Sequence, residues 1–190
     1  MRIVGGKNRG RQLLAPKGQA TRPTSDRTRE SVFNILSSRL ERGFQGLTVV
    51  DLFAGTGALG LEALSRGAAQ AVLIDNDRAA IKIIEENVQK LGAAENTSLI
   101  KRDATRLGAL PAGLSPADLV FLDPPYEQDL VQSALTSLRE NNWLADEAII
   151  VVEMAAKEIF ECPPGFEQVD QRKYGKAAIH IVELMQNSPK

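Results

Sequence analysis

The chain has 190 residues, 43% of them hydrophobic and 25% charged, with a formal net charge of −1. That composition fits one soluble domain with a real core, and no apolar stretch approaches the ~20 residues a membrane helix needs. A single cysteine, Cys162, excludes an internal disulfide. One histidine, His180, and that one cysteine weigh against a structural zinc site, so no metal is expected. Met1 to Lys7 has no signal-peptide core, and the expected compartment is the cytoplasm.

The near-neutral net charge hides an asymmetry. Residues 1–29 hold eight basic side chains against Asp26 alone, a local +7, which leaves −8 on the rest of the chain. Two short runs, Arg2-Ile3-Val4 and Arg11-Gln12-Leu13-Leu14, flank glycines and Asn8, the pattern of a basic β-hairpin. A Pro/Gly/Thr linker follows to residue 24. The expected organisation is therefore a basic hairpin and linker over 1–24 and a second unit over 25–190. A basic arm on an acidic body suits contact with a phosphate backbone, with Lys7, Arg9, Arg11 and Arg22 as candidates. A solvated terminus without a partner is the alternative. Ser25 is a plausible helix N-cap, and Val32, Phe33, Leu36 and Leu40 give the helix that follows an apolar face.

From Leu47 strand and helix patterns alternate. Strands are expected over 47–53, 70–75, 97–102, 117–122 and 147–153. Helices are expected over 58–66, 77–91 and 129–140, with an irregular link at 104–115. Such alternation implies a parallel sheet covered on both faces. Residues 166–174 and 177–184 alternate apolar and polar residues about Gly175, as an antiparallel edge hairpin does. The expected fold is a doubly wound α/β sheet of seven strands, mostly parallel and Rossmann-like, with that hairpin at its C-terminal edge and the basic hairpin as an N-terminal extension.

The first strand, ending Val50-Asp51-Leu52-Phe53, runs into Ala54-Gly55-Thr56-Gly57-Ala58-Leu59-Gly60. Strand, glycine turn and helix form a cofactor cradle, because glycine admits close backbone approach and the helix start points N–H groups at the turn. The glycine spacing also fits the dinucleotide fingerprint, and Asp75 follows at a suitable distance, so spacing alone leaves NAD open. Asp51, Asp75, Asp103 and Asp123 each fall at the end of an expected strand. In open parallel sheets ligands bind beyond those ends.

Asp123-Pro124-Pro125-Tyr126 carries the most specific signal. The Asp123 carboxylate accepts N–H bonds. Pro124 has no N–H and offers only its carbonyl, and Tyr126 offers a stacking face. Together they suit a flat ring that bears an amino group. The structural alternative is a rigid strand-ending turn with Tyr126 as a lid. His180, between Ile179 and Ile181, and Trp143 read as packing residues, and Cys162 has no cationic activator nearby.

Taken together, Asp51 to Gly57, Asp75, Asp103-Ala104 and Asp123 to Tyr126 resemble class I S-adenosylmethionine-dependent methyltransferases. Arg22-Pro23-Thr24, Arg27 to Asn34, Gly57 to Arg66 and Trp143 to Ala148 further resemble the RsmD family, bacterial 16S ribosomal RNA guanine-N2 methyltransferases. The resemblance runs from about residue 2 to 184. It implies S-adenosylmethionine as cofactor, held by Asp51, Phe53, Gly55, Gly57, Asp75, Asn76, Asp103 and Ala104, with Arg22 and Thr24 closing over its methionine end. It implies catalysis by Asp123, Pro124 and Tyr126. It also implies small-subunit ribosomal RNA as partner, within the assembling or assembled 30S particle, with no membrane contact and a monomeric enzyme. Adenine-N6 methylation of DNA or RNA is the alternative reaction. A non-catalytic RNA-binding module and an NAD-dependent oxidoreductase are the more distant readings.

Overall fold

A computed structural model describes residues 1–16, 26–125 and 130–185. Arg22, Thr24, the Ser25 cap, the boundary expected after residue 24, and Tyr126 lie outside the described residues. In chain order the elements are α1 (Asp26–Arg39), β1 (Thr48–Leu52), α2 (Ala58–Arg66), β2 (Gln70–Asp75), α3 (Arg78–Leu91), a 3₁₀ turn (Ala94–Asn96), β3 (Thr97–Lys101), β4 (Ala117–Leu122), α4 (Leu130–Glu140), β5 (Leu144–Ala155), β6 (Phe166–Tyr174) and β7 (Ala177–Leu184).

The seven strands form one sheet in the order β3-β2-β1-β4-β5-β7-β6. The first five are parallel, and β7 and β6 close the edge antiparallel. Strand β1 is buried along its whole length, as a central parallel strand covered on both faces must be. Alternate residues divide the core in two. Val49, Leu73, Leu119, Phe121 and Val151 pack with α1, α2 and α3, while Val50, Leu52, Val120, Leu122 and Val152 pack with α4 and Trp143. Each large side chain buried in this way contributes about 1.5–3 kcal/mol. Trp143 is fully buried and its indole N–H donates to the Gly108 carbonyl at 2.8 Å.

Strand β5 is longer than its apolar run because Leu144 already pairs with Ala117 before a register shift. The Ala117 N–H there donates to the Trp143 carbonyl at 2.7 Å. The N-terminal hairpin is reduced to one bridge, Arg2 with Gln12, supported by the Ile3 N–H on the Arg11 carbonyl and the Leu13 N–H on the Met1 carbonyl. Between them Ile3 and Leu13 are buried in the same layer as α1 and α2. No helix among the described residues is long and apolar enough to cross a membrane.

Candidate active site

The chain leaves β1 for β2 and β3 on one side, and returns to β4 on the other. The cleft where this order reverses, at the carboxyl ends of β1 and β4, is the natural ligand site of such a sheet. Phe53, first beyond β1, has φ +59°. For a bulky residue that left-handed conformation costs of order 1–3 kcal/mol, which the surroundings must hold in place. It turns the chain sharply into the glycine turn, where the Gly57 N–H donates to the Ala54 carbonyl at 2.6 Å.

The glycines of this turn have different tasks. Gly55 has φ +57°, and a Cβ there would meet only the Phe53 carbonyl oxygen, at 3.8 Å, so its outer face is open to a ligand. A Cβ at Gly60 would collide with Leu73, and its N–H donates to Asp51 at 2.9 Å. Gly60 therefore serves close packing of α2 on the sheet.

Asp51 is buried at 2% exposure. Burial raises its carboxyl to about 7; the Gly60 N–H opposes the rise and the Asp75 charge adds to it. Asp75 ends β2, half-buried, and ties two turns together. One oxygen accepts the Gly55 N–H at 2.8 Å and the other the Asp77 N–H at 2.9 Å. A carboxylate offers about four acceptor sites, so lone pairs remain for ribose hydroxyls. Asn76 is exposed in the next turn. Asp103, past β3, accepts the N–H and hydroxyl of Thr105 at 2.9 and 2.7 Å, and these bonds hold its carboxyl below the usual range. Ala104 beside it is buried.

Asp123 and Pro124 are half-buried immediately beyond β4, with Pro125 exposed. Because Leu52 is in register with both Ile74 and Leu122, Phe53, Asp75 and Asp123 stand at nearly one level along the rim. The sheet thus brings Asp51, Phe53, Gly55, Asp75, Asp103 and Asp123 together. That rim of carboxylates suits a cationic ligand that carries ribose hydroxyls and an amino group.

Lys7, Arg9 and Arg11 are exposed but lie elsewhere. The Lys7 N–H donates to the Ser65 carbonyl at 2.8 Å, and the Arg11 guanidinium to the Lys90 carbonyl at 3.0 Å. Ser65 and Lys90 sit in the last turns of α2 and α3. Both helices run away from the rim, so Lys7 lies about 10 Å down α2 from the glycine turn.

Buried polar groups anchor this arm, and the sequence analysis did not single them out. Glu62, fully buried, accepts the Val4 N–H at 2.7 Å and the Arg66 guanidinium at 2.8 Å. Arg29, 1% exposed, reaches the Arg2 carbonyl and pairs with Asp26 at 2.8 Å. Asn87, fully buried, exchanges two bonds with Leu14 and donates to the Thr56 carbonyl of the glycine turn at 2.9 Å. One signal existed. Asn87 interrupts the apolar stripe of Ile84, Val88 and Leu91, and Glu62 stands among Leu61, Ala63 and Leu64.

The remaining residues are structural. His180 is 2% exposed, shares 2.7 Å with Gln168, and burial lowers its pKa. Burial raises the Cys162 thiol. Among the described residues no cluster of His, Cys, Asp and Glu could hold a metal.

Residues 1–183 match the family described as conserved hypothetical protein 95. Ribosomal RNA small subunit methyltransferase D of Escherichia coli K12 is 42% identical over 153 residues, 80% of this chain and 74% of that protein. The enzyme of that name from Haemophilus influenzae is 32% identical over 184 residues, 96% of this chain and 93% of its own. The solved structure of the Escherichia coli yhhF protein superposes with a TM-score of 0.82 at 34% identity, covering 98% of this chain and 99% of that one.

Proposed function

The chain belongs to the conserved hypothetical protein 95 family, with the ribosomal RNA small subunit methyltransferases D among its relatives, and on that premise we propose that it methylates the exocyclic N2 of a guanine in 16S ribosomal RNA. The methyl donor is S-adenosylmethionine. The observation that carries the reading is the rim itself: three aspartates (Asp51, Asp75 and Asp103) and an open glycine turn at the switch point, with Asp123-Pro124 one strand from β1.

These residues fit the donor. Gly55 gives its backbone clearance, Asp75 accepts from its ribose, and Asp51 and the rim favour its positive charges. Asn76, Ala104 and Asp103 flank the adenine side; Arg22 and Thr24, outside the described residues, are the candidates that the family resemblance offers for the methionine end. When bound, the donor supplies an electrophilic methyl on a sulfonium that leaves as a neutral thioether.

The chain must supply the nucleophile's geometry. The N2 lone pair of guanine is delocalised into the ring, so the nitrogen must be held in line and supported as it becomes tetrahedral and positive. Asp123 and the Pro124 carbonyl accept its N–H bonds, which strengthen as that charge develops. Positioning lowers the rest of the barrier. Once the nitrogen carries the methyl, one amine proton would be lost to Asp123 or water, which restores its neutral charge. Guanine offers N1–H and N2–H side by side to one carboxylate, whereas adenine presents an acceptor at N1. Tyr126 stacks on the base once it has left its own stack.

The enzyme works as a cytoplasmic monomer on the assembling or assembled small subunit, with Lys7, Arg9, Arg11 and Arg22 on phosphates. The test is to incubate it with labelled S-adenosylmethionine and small subunits that lack the modification, then digest the RNA. N2-methylguanosine is expected. Labelled N6-methyladenosine would overturn the base assignment, and tight NAD binding without methyl transfer would overturn the reaction.

A further inference from the structure

Ile159 is 86% exposed, far more than any other large apolar side chain among the described residues. It lies in the loop between β5 and β6, and its neighbours fix where that loop runs. Phe160 packs on the His180 ring with centroids 4.9 Å apart, and His180 is in register with Val152. The Glu161 carbonyl accepts from Gln132 in the first turn of α4 at 3.3 Å. Helix α4 follows β4, the strand that Asp123 and Pro124 extend, and so begins at the same carboxyl rim. Ile159 is therefore on the rim near Asp123 and Pro124, although nothing in its sequence spacing says so.

Lysines stand on the side of Ile159 away from α4. Exposed Lys173 is next to last in β6, and exposed Lys176 is in the β6–β7 turn, which lies at the carboxyl end of β5 because Ala177 pairs with Ala155. The Ala156 N–H donates to the Lys176 carbonyl at 2.9 Å, which fastens this turn to the loop that carries exposed Lys157. Asp123 is two strands away, about 10 Å across the sheet. The loop's acids are half-buried Glu158 and exposed Glu161, and Glu161 is on the α4 side.

We propose that this rim is the RNA surface nearest the chemistry, with Lys157, Lys173 and Lys176 on phosphates flanking the target and Ile159 filling the stack that the extruded base leaves. The inference rests on the reading of the protein as an RNA methyltransferase and adds a footprint separate from the basic arm. The physical need is specific. A base must leave its stack to reach Asp123, and exposed apolar side chains are what proteins insert into the gap so formed. A rim of carboxylates would repel the flanking phosphates unless cations stood beside it. An isolated exposed isoleucine explains neither its place nor its lysine neighbours.

The test uses the full chain and small subunits lacking the modification. Lys157→Glu/Lys173→Glu/Lys176→Glu and Ile159→Ala are compared with wild type and with Arg42→Glu, an exposed arginine between α1 and β1 at the opposite end of the sheet from the rim. All these side chains are exposed, so thermal midpoints and S-adenosylmethionine affinity should stay put and report any fold damage. For the triple variant the slope of log affinity against log salt should flatten by about two to three. For Ile159→Ala, kcat/KM should fall about tenfold, with Ile159→Phe retaining more activity. An unchanged salt slope and affinity in the triple variant overturns the phosphate contact. Unchanged kcat/KM in Ile159→Ala overturns the wedge. Failure of wild type to label the subunits would instead overturn the proposed function, so the two failures are distinct.

Discussion

Asp51 shows how a single residue's surroundings set its chemistry. Its folded-state carboxyl titrates at about 7 against an ordinary 3.8, raised by burial. A raised carboxyl stabilises the fold below its unfolded value, and that stability is lost as pH rises through 7. Cofactor binding has the opposite sign, because only the ionised form pairs with a cation. Affinity for S-adenosylmethionine should therefore climb between pH 6 and 8, while Asp51's share of thermal stability declines; Asp51→Asn should flatten both. Calorimetry and melting curves across that range check the pair, and a flat wild-type affinity would remove Asp51 from the cofactor site. Under the proposed function, Asp123 acts on the other substrate. Asp123→Ala should abolish methyl transfer while S-adenosylmethionine affinity stays within a few-fold, and wild-type turnover would end its proposed role. For Tyr126, loss of stacking is worth roughly 1–3 kcal/mol per base. Tyr126→Ala should therefore be severe and Tyr126→Phe mild in single-turnover rates; equal losses would point to the hydroxyl.

At the scale of elements, the arm, α1 and α2 are joined by buried charge. Glu62 takes the Val4 N–H and Arg66, and its other charged neighbour is Arg29, 4.0 Å away. Removing one partner of such a set strands the others in the core and costs about 3–5 kcal/mol. Glu62→Ala should lose that much in denaturant titration, with Glu62→Gln milder because an amide still accepts from Val4. A loss below 1 kcal/mol would mean that Ile3, Leu13 and the Arg29, Asn87 and Ser65 bonds hold the arm without help from Glu62. These joints explain what the sequence could and could not convey. The strands of the parallel sheet were legible because buried parallel strands read as continuous apolar runs, and α3 because Ile84, Val88 and Leu91 repeat at helical spacing. The rim aspartates were legible because each ends such a run. Glu62, Arg29 and Asn87 were opaque, since a polar residue within an apolar stripe gives no hint of its partner tens of residues away. Ile159 was opaque for a related reason: its position depends on Phe160 packing against His180, a contact between distant segments.

Across the whole molecule, charge is divided by position as well as by sequence. The rim to which the proposed function assigns the chemistry is acidic, which suits a cationic donor but opposes RNA. The arm's Lys7 backbone is held at the last turn of α2, and Arg11 at Lys90 in the last turn of α3, one turn beyond Asn87, which itself reaches the glycine turn. Under the proposed function, phosphates on these cations belong to nucleotides outside the pocket that takes the target base. A large folded substrate can reach both the arm and the rim, whereas a short fragment centred on the target reaches only the rim. Arg9→Glu/Arg11→Glu should accordingly weaken binding to intact small subunits and flatten its salt dependence by about two. The same variant should bind a short RNA fragment around the target almost as wild type does, with S-adenosylmethionine affinity unchanged in both cases. Parallel titrations against salt with the particle and the fragment make the comparison. Equal weakening on both substrates would place the arm against the target nucleotides, and no weakening on the particle would leave the arm a core-anchored segment whose charges face only solvent.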